Sequence, residues 1–349
     1  MLNKLLIGIF ILIFLIAVIY GPKAARVYKM IHLYDEDRIV YNFLNMDMVF
    51  PTIGITASKD PHVFPEKQFN LPEFYELDGK QFDLSQALEY FQSDGMVVLH
   101  NGHLVYENYW LGNSKDSQHI SWSVAKSFLS ALIGIALEDG LIDDLDDPIT
   151  KYLKDFVGTG YEDIPIKDIL QMSSGVTFNE DYADYNSDIN RFGRAIAQGT
   201  SMREFAKTLK NGKKSGTYNH YVSIDTQMLA MLLQEVTGMS VTKNLQEKIW
   251  NKVGMEHDAY YMVDDTGMEV ALGGLNASVR DYAKFGLLYL NKGRWNGEQV
   301  VPEKWVESSY NADAAHLLPG ENELSSNSWG YGYQWWIPGF PDTDYLAAG

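Results

Sequence analysis

Ser123 and Lys126 stand three residues apart at the start of an apolar segment, which reads ISWSVAKSF over residues 120–128. Side chains with this spacing lie on one face of an α-helix, so the hydroxyl and the amine would face each other. An unpaired buried lysine costs several kcal/mol unless it is neutral or hydrogen-bonded. A lysine whose pKa is lowered in this way can accept the serine proton, and a free N–H at the helix start can stabilise an oxyanion. The pair therefore predicts a nucleophilic serine that acts in acyl transfer.

A second serine–lysine pair with the same spacing, Ser240 and Lys243, lies in the segment GMSVTKNLQEKIW. Here the serine suits the N-cap of a polar-faced helix and the lysine would point outward, so we expect no chemistry from this pair. The acidic run DDLDDP, residues 143–148, lacks the glycine and the final glutamate of an EF-hand loop and is interpreted as a solvated turn. Because the chain has no cysteine, it has no thiolate zinc site and no cysteine nucleophile. We expect neither a metal nor a cofactor.

The hydrophobic pattern indicates which elements position Ser123. Residues 96–110 form two β-rich runs joined by Asn101-Gly102, which predicts a hairpin. Residues 124–137 are apolar on nearly every face and predict a buried helix. Amphipathic helices are predicted at 166–172, 202–209, 225–236, 245–253 and 278–290, and an aromatic strand at 331–339. Strands toward both ends of the chain with helices between them indicate an α+β fold, in which one sheet is assembled from both ends and a helical lobe is added.

The N-terminal segment Leu5–Tyr20 contains only apolar residues and glycine. As a helix it rises roughly 24 Å, a little less than the ~30 Å hydrocarbon core of a bilayer. A cleaved signal peptide is the alternative, but Lys23 stands where cleavage needs a small residue. We therefore expect an uncleaved signal anchor at the inner membrane, with the catalytic domain in the periplasm or otherwise outside the cytoplasm. Basic residues on both sides of the segment leave its orientation open.

The composition narrows the classes of partner. The formal net charge of −18 excludes nucleic acid, because phosphate binding needs basic surfaces and the chain has none in its sequence pattern. The 22 tyrosines and 8 tryptophans suit a globular enzyme with a lined cleft. We expect a transmembrane helix at 1–22, a juxtamembrane arm at 23–72 and a hydrolase domain at 73–349.

Several ordered segments between residues 90 and 349 resemble the serine β-lactamase and penicillin-binding-protein superfamily, in its class C and esterase branch. They are SWSVAKSF, IKDILQMSSGV (166–176), GTYNHYVSIDTQMLAMLLQEVTG (216–238), GGLNASVRDYAKFGLLYLN (273–291) and YGYQWW (331–336). The resemblance implies a β-lactamase/transpeptidase-like fold, with an antiparallel sheet flanked by helices and an additional helical lobe. It also implies three catalytic residues: Ser123 as nucleophile, Lys126 as activating amine and Tyr221 as proton shuttle. Whether the lysine or a tyrosinate is the formal base stays open.

Within this branch, the Tyr-x-Ser motif and NEDYADYNSD (179–188) are most similar to 6-aminohexanoate-dimer hydrolases. That likeness implies that Tyr182 faces the substrate amide and that Ser223 orients the substrate or the lysine. Lys214-Ser215-Gly216 imitates the family's third motif, but it precedes Tyr221 and lies in a polar loop, so we do not assign it. We expect that motif on a strand beginning after Gly349, which would supply the second oxyanion N–H, so the given chain should be catalytically impaired.

The resulting expectation is a serine hydrolase that cleaves a small-molecule amide or ester through an acyl-enzyme. A true class C β-lactamase or D,D-peptidase is the alternative within the superfamily. A non-catalytic cell-wall-binding or sensor module on the same fold is the alternative from another class. The substrate and the oligomeric state are not determined by the sequence.

Overall fold

The computed structural model describes residues 2–339 and 344–349. The helices are α1 Leu2–Ile31, α2 Ile39–Phe43, α3 Leu84–Tyr90, α4 Val124–Glu138, α5 Ile166–Leu170, α6 Asp188–Ala197, α7 Met202–Lys207, α8 Ser223–Thr237, α9 Val241–Leu245, α10 Asn251–Val253, α11 Val279–Leu290 and α12 Glu303–Ser309. The strands are β1 Thr52–Ile55, β2 Phe74–Leu77, β3 Lys80–Asp83, β4 Gly95–His100, β5 His103–Tyr109, β6 His119–Ile120, β7 Ala259–Met262, β8 Leu275–Ala277, β9 Arg294–Trp295, β10 Glu298–Gln299, β11 Gly330–Tyr331 and β12 Trp336–Ile337.

A four-stranded antiparallel sheet in the order β1-β7-β8-β6 lies next to the buried helix α4. Twelve consecutive residues of this helix, Ala125–Ala136, are buried, as the apolar pattern predicts. The edge strand β6 ends at Ile120, directly before the turn that contains Ser123. The sheet therefore fixes the backbone that enters α4.

The predicted hairpin is confirmed, since β4 and β5 pair antiparallel around Asn101 and Gly102. Both turn residues have positive φ, 50° and 74°, as the tight turn between twisted strands requires. The helices between residues 166 and 207 form the predicted lobe: α5 and α7 pack against α8, and α6 packs against α7. The α+β class with an antiparallel sheet and a helical lobe is confirmed.

Some elements differ from the prediction. The aromatic segment after residue 330 is a tight hairpin of β11 and β12 rather than one strand, because the chain reverses at 332–335, where Gln334 has a φ of 63°. Neither strand belongs to the four-stranded sheet, which takes β1 from the predicted arm instead. The pattern at 245–253 covers the end of α9, a π-helical turn at Gln246–Trp250 and α10. The short helices α3, α6 and α12 were not predicted.

The N-terminal arm is packed onto the domain. Helix α1 is continuous through the predicted boundary at residue 22, and its span Asn3–Ile31 is long and apolar enough to cross a membrane. Arg26 pairs with Asp265 at 2.7 Å, while Leu33 and Met46 lie in the main hydrophobic core. The boundaries between anchor, arm and domain stay a prediction, but the arm has the burial of a structural part of the fold.

Two helical glycines offer a test of how α4 packs against α12. A β-carbon at Gly134 in α4 would overlap the Trp305 indole of α12, whereas one at Gly286 in α11 would meet open space. We expect Gly134→Ala to lower the free energy of unfolding by about 1–3 kcal/mol through overpacking. Gly286→Ala should raise it by about 0.5–1 kcal/mol, because alanine favours the helix. Urea unfolding measures both, and destabilisation by the two variants alike would contradict the packing of α4 against α12.

Candidate active site

Ser123 occupies the N-cap position of α4. The preceding Trp122 has a φ of 41°, a left-handed conformation that an aromatic residue rarely adopts. The backbone before it is held by the Ser121 N–H, which donates to the Leu275 carbonyl of β8 at 2.8 Å. Within the described residues the Ser123 N–H donates to no backbone acceptor. The sharp turn thus presents both the hydroxyl and the amide N–H of Ser123 at the surface of a cavity.

Lys126 is 1% exposed and donates from Nζ to Ser123 Oγ at 2.8 Å, and also to the Leu272 carbonyl. The predicted pairing of hydroxyl and amine is therefore present. Burial lowers the pKa of the Lys126 amine from 10.5 to about 7, and the more distant Glu180 carboxylate counteracts part of this effect. A lysine in this environment is partly neutral near pH 7, and its neutral form can accept the proton of the serine hydroxyl 2.8 Å away.

Tyr221 stands just before α8, on the same side of the cavity. Its ring centre lies 5.3 Å from Lys126 Nζ, and the ring stacks on Trp336 of β12 with centroids 5.2 Å apart. Burial, followed by the neighbouring Tyr331, raises the pKa of the Tyr221 phenol well above its usual value, although the Ser123 hydroxyl opposes this shift. The phenol therefore carries its proton at neutral pH.

Ser223 begins α8 and lines the same cavity, with a buried hydroxyl that has no partner among the described residues. Its backbone N–H donates to Glu180 Oε1 at 2.5 Å. The other oxygen of this carboxylate, Glu180 Oε2, is buried and also has no hydrogen-bond partner among the described residues. Glu180 was missed by sequence reasoning, since a lone glutamate in an acidic loop is usually solvated. Its position two residues before Tyr182 was the only available signal.

Tyr182 also lines the cavity, on a loop that side-chain hydrogen bonds hold in place. The Asn190 side chain donates to the carbonyls of Tyr182 and Asp184 at 3.0 and 2.9 Å. Although Tyr182 is 59% exposed, partial desolvation by the surrounding cavity wall, followed by the Glu180 carboxylate, raises the pKa of its phenol. The cavity lining thus brings Tyr182 together with Ser123, Tyr221 and Ser223, and the roles of these residues stay predictions.

The cavity has a volume of about 1080 Å³ and a largely apolar lining. Residues 344–349 approach it next to β12, where Leu346 and Trp336 exchange backbone hydrogen bonds of 2.9 and 3.0 Å. A β-carbon at Gly349 would lie 2.8 Å from Ser123 N, so only glycine fits this close approach. The strand expected to carry the second oxyanion donor stays a prediction.

The other motifs lie elsewhere. Ser240 caps α9 by accepting from the Lys243 N–H at 3.1 Å, and neither residue lines the cavity. Lys214-Ser215-Gly216 lies in the loop before Tyr221 and is also outside the cavity lining. Lys151 neutralises the acidic run through Asp143 and Asp147 at 2.6 and 2.7 Å. Over residues 2–339 and 344–349, no cluster of three or more possible metal ligands is present.

Known proteins are similar to this chain in sequence and in fold. The family model described as Beta-lactamase matches residues 86–343. A 6-aminohexanoate-dimer hydrolase from Paenarthrobacter ureafaciens is 31% identical over 305 residues, which cover 85% of this chain and 76% of that protein.

Two solved structures are similar in fold. One from Bacillus anthracis, described as a candidate 6-aminohexanoate-dimer hydrolase, has a TM-score of 0.79 at 27% identity and covers 88% of this chain and 81% of its own. A penicillin-binding protein from Bacillus halodurans has a TM-score of 0.55 at 15% identity and covers 72% and 83%. The latter supports the fold alone.

The two buried lysines of the chain predict opposite effects on stability. Lys126 has a pKa lowered from 10.5 to about 7, which corresponds to roughly 5 kcal/mol of unfavourable desolvation at neutral pH. Lys284, equally buried, pairs with Glu256 at 2.9 Å and with Asp281 at 3.6 Å. We expect Lys126→Met to raise the free energy of unfolding by about 1–3 kcal/mol, less than the full penalty because the Leu272 carbonyl loses its donor.

Lys284→Met is the matched control and should lose about 3 kcal/mol or more, since Glu256 and Asp281 lose their buried cation and keep, among the described residues, only Arg280 and His257 as charged partners. Thermal unfolding at neutral pH measures both variants. A lower melting temperature for Lys126→Met than for the wild type would contradict an uncompensated amine at this position.

Proposed function

Because the chain belongs to the Beta-lactamase family and is a serine hydrolase, we propose that Ser123 attacks the carbonyl of an amide or ester and forms an acyl-enzyme. The observation that carries this proposal is the 2.8 Å hydrogen bond between Lys126 Nζ and Ser123 Oγ in a buried environment. Such a lysine destabilises the folded state, because desolvation opposes its charge, and a catalytic role explains why the chain keeps it. The burial of Lys126 also excludes the alternative that it is a solvent-exposed charge on the helix surface.

Lys126 acts as the base in the first step. The Ser123 Oγ–H bond breaks as its oxygen attacks the carbonyl carbon, and the proton moves to Lys126 Nζ. The opposite shifts of the two pKa values support the lysine over a tyrosinate: Lys126 is lowered to about 7, whereas Tyr221 is raised. The free Ser123 N–H supplies one donor to the oxyanion of the tetrahedral intermediate.

Tyr221 relays protons in both half-reactions. Its phenol donates a proton to the departing nitrogen or oxygen while it recovers one from the Lys126 ammonium. A water molecule then attacks the acyl carbon, its proton passes to the same pair, and Ser123 Oγ leaves with a proton. Ser223 and Tyr182 position the substrate, because both line the cavity and the Ser223 hydroxyl has no partner among the described residues.

The relatives favour a substrate of the 6-aminohexanoate-dimer hydrolase kind, an amide or a related ester. A class C β-lactamase or D,D-peptidase remains the alternative on the same residues. A non-catalytic module is disfavoured, since it would retain the buried lysine without use for it. We also propose that α1 anchors the enzyme in the membrane with the domain outside the cytoplasm, on the basis of its apolar, unburied span Asn3–Ile31.

We expect a fluorophosphonate probe to label Ser123 and the label to disappear in Ser123→Ala, because among the described residues only this hydroxyl accepts a hydrogen bond from a lysine amine. Ser240→Ala is the control: it removes a helix cap, worth about 1 kcal/mol, without touching the cavity. Intact mass and peptide mapping locate the adduct. Competition by a penicillin would favour the β-lactamase or D,D-peptidase alternative, and labelling that persists in Ser123→Ala would reject the assigned nucleophile.

The pH dependence of kcat/KM tests the base. With a lysine pKa of about 7, the neutral and active fraction grows as pH rises through this value. On p-nitrophenyl acetate we expect kcat/KM to fall about tenfold per pH unit below about pH 6 and to level off above about pH 8. Lys126→Arg, which stays charged, should be inactive throughout. A profile that is flat across this range would exclude Lys126 as the base.

A further inference from the structure

One wall of the active-site cavity comes from the N-terminal arm rather than from the elements around Ser123. The cavity-lining residues of the arm are apolar or aromatic and include Val27, Met30, Ile31, Tyr34, Ile39 and Phe43. Ile31 and Tyr34 are 59% and 52% exposed, so their side chains leave apolar surface in the open cavity. This wall contains none of the proposed catalytic residues, which all follow residue 120.

The arm is fixed against the catalytic residues by direct contacts. Tyr34 stacks on the Trp122 indole with centroids 5.7 Å apart, and Phe43 packs edge-on against the same ring at 5.2 Å. Met30 fills the space left by the missing side chain of Gly193. The apolar wall is therefore preformed beside the nucleophile, and a chain lying on it can reach Ser123.

The same helix joins this wall to the candidate membrane span. Helix α1 runs without interruption from Leu2 to Ile31, and the apolar segment at its start is unburied. Val27 in the cavity wall lies seven positions after Tyr20, the end of that segment, which is about 10 Å along a helix. Lys23 and Arg26 bind the domain in between, through the Gln198 carbonyl at 3.1 Å and Asp265 at 2.7 Å. If α1 is inserted in the membrane as proposed, these contacts hold the cavity close to the membrane surface.

We propose that the substrate is a membrane-resident amphiphile, an ester or amide whose aliphatic chain lies on the arm while its carbonyl reaches Ser123. This inference rests on the proposed hydrolase function and adds the substrate class. The largely apolar lining stabilises a chain by burying its methylene groups, which a short polar substrate would leave unused. A cavity of about 1080 Å³ is also larger than a small acyl group needs.

The first experiment compares p-nitrophenyl octanoate with p-nitrophenyl acetate on the full chain in detergent. Ile31→Glu places a charge on the wall and should lower the octanoate-to-acetate ratio of kcat/KM about tenfold or more, because the chain loses apolar contact. Ile31→Trp reduces the room instead and should shift the preference toward shorter chains. Tyr28→Glu is the matched control, since Tyr28 is similarly exposed on the same helix but does not line the cavity.

The second experiment tests whether the substrate is taken from the membrane. Inserting seven helix-forming residues after Gly21 raises the domain by about 10 Å, nearly preserves the helix phase and leaves the contacts of Lys23 and Arg26 in place. In phosphatidylglycerol vesicles, hydrolysis of a 4-methylumbelliferyl palmitate held in the bilayer should fall at least severalfold, with hydrolysis of soluble p-nitrophenyl acetate unchanged. Equal hydrolysis of the palmitate by both proteins would show that the chain is not taken from the membrane.

Hydrolysis of p-nitrophenyl acetate distinguishes a failure of the proposed hydrolase function from a failure of the proposed substrate class. If the wild type does not hydrolyse acetate and takes no probe at Ser123, the hydrolase function itself fails. If acetate is hydrolysed but Ile31→Glu and Tyr28→Glu leave the chain-length ratio equally unchanged, or lower it equally, the arm is no chain-binding wall and this inference alone is rejected.

Discussion

The desolvated amine of Lys126 is the interaction on which the arrangement depends. Its position requires α4 to be buried on every side, so that the lysine behind Ser123 is cut off from water. The sheet, α8 and the hairpin β11–β12 supply that cover, and Ser127 and Ser130 anchor the helix to the hairpin by donating to the Gln334 and Tyr333 carbonyls at 2.7 Å each. A smaller or looser core would hydrate the amine and return its pKa toward 10.5. The chemistry of the site therefore depends on the large apolar core, which keeps water away from the Lys126 amine.

The acidic side chains near the site are placed so that the pKa of the Lys126 amine stays low. Lys284 shows the ordinary solution for a buried lysine, with carboxylates of Glu256 and Asp281 close by. At Lys126 the nearest acidic influence is Glu180, whose carboxylate is instead occupied by the Ser223 N–H at the start of α8. A carboxylate held there raises the lysine pKa a little without pairing with it, and it also fixes the loop that carries Tyr182. Distance, rather than residue type, decides between a structural and a reactive lysine.

The sequence predicted the features that depend on local pattern, and missed those created by contacts between distant segments. The serine–lysine spacing, the Asn-Gly hairpin and the buried helix each follow from a few neighbouring residues. Glu180 could not be assigned, because its burial depends on α8, more than forty residues later. The aromatic segment after residue 330 reads as a strand by composition, but it folds back on itself because Gln334 adopts a left-handed turn and its side chain bonds Thr226 in the core at 2.6 Å. The role of the arm was hidden for the same reason.

The contact between the arm and Trp122 links substrate access to the geometry of the nucleophile. A tryptophan at a φ of 41° is strained by about 1–3 kcal/mol, and such a conformation persists only where the surroundings hold it. Tyr34 and Phe43 enclose its ring from the arm, while the Ser121 N–H fixes the backbone on the other side through β8. The arm therefore supports the turn that exposes Ser123 as well as forming the wall beside it. A substrate chain that packs on the arm, as proposed, would bear on the same contacts with Trp122, and binding energy far from the reacting carbonyl would then help to hold the serine in its reactive orientation.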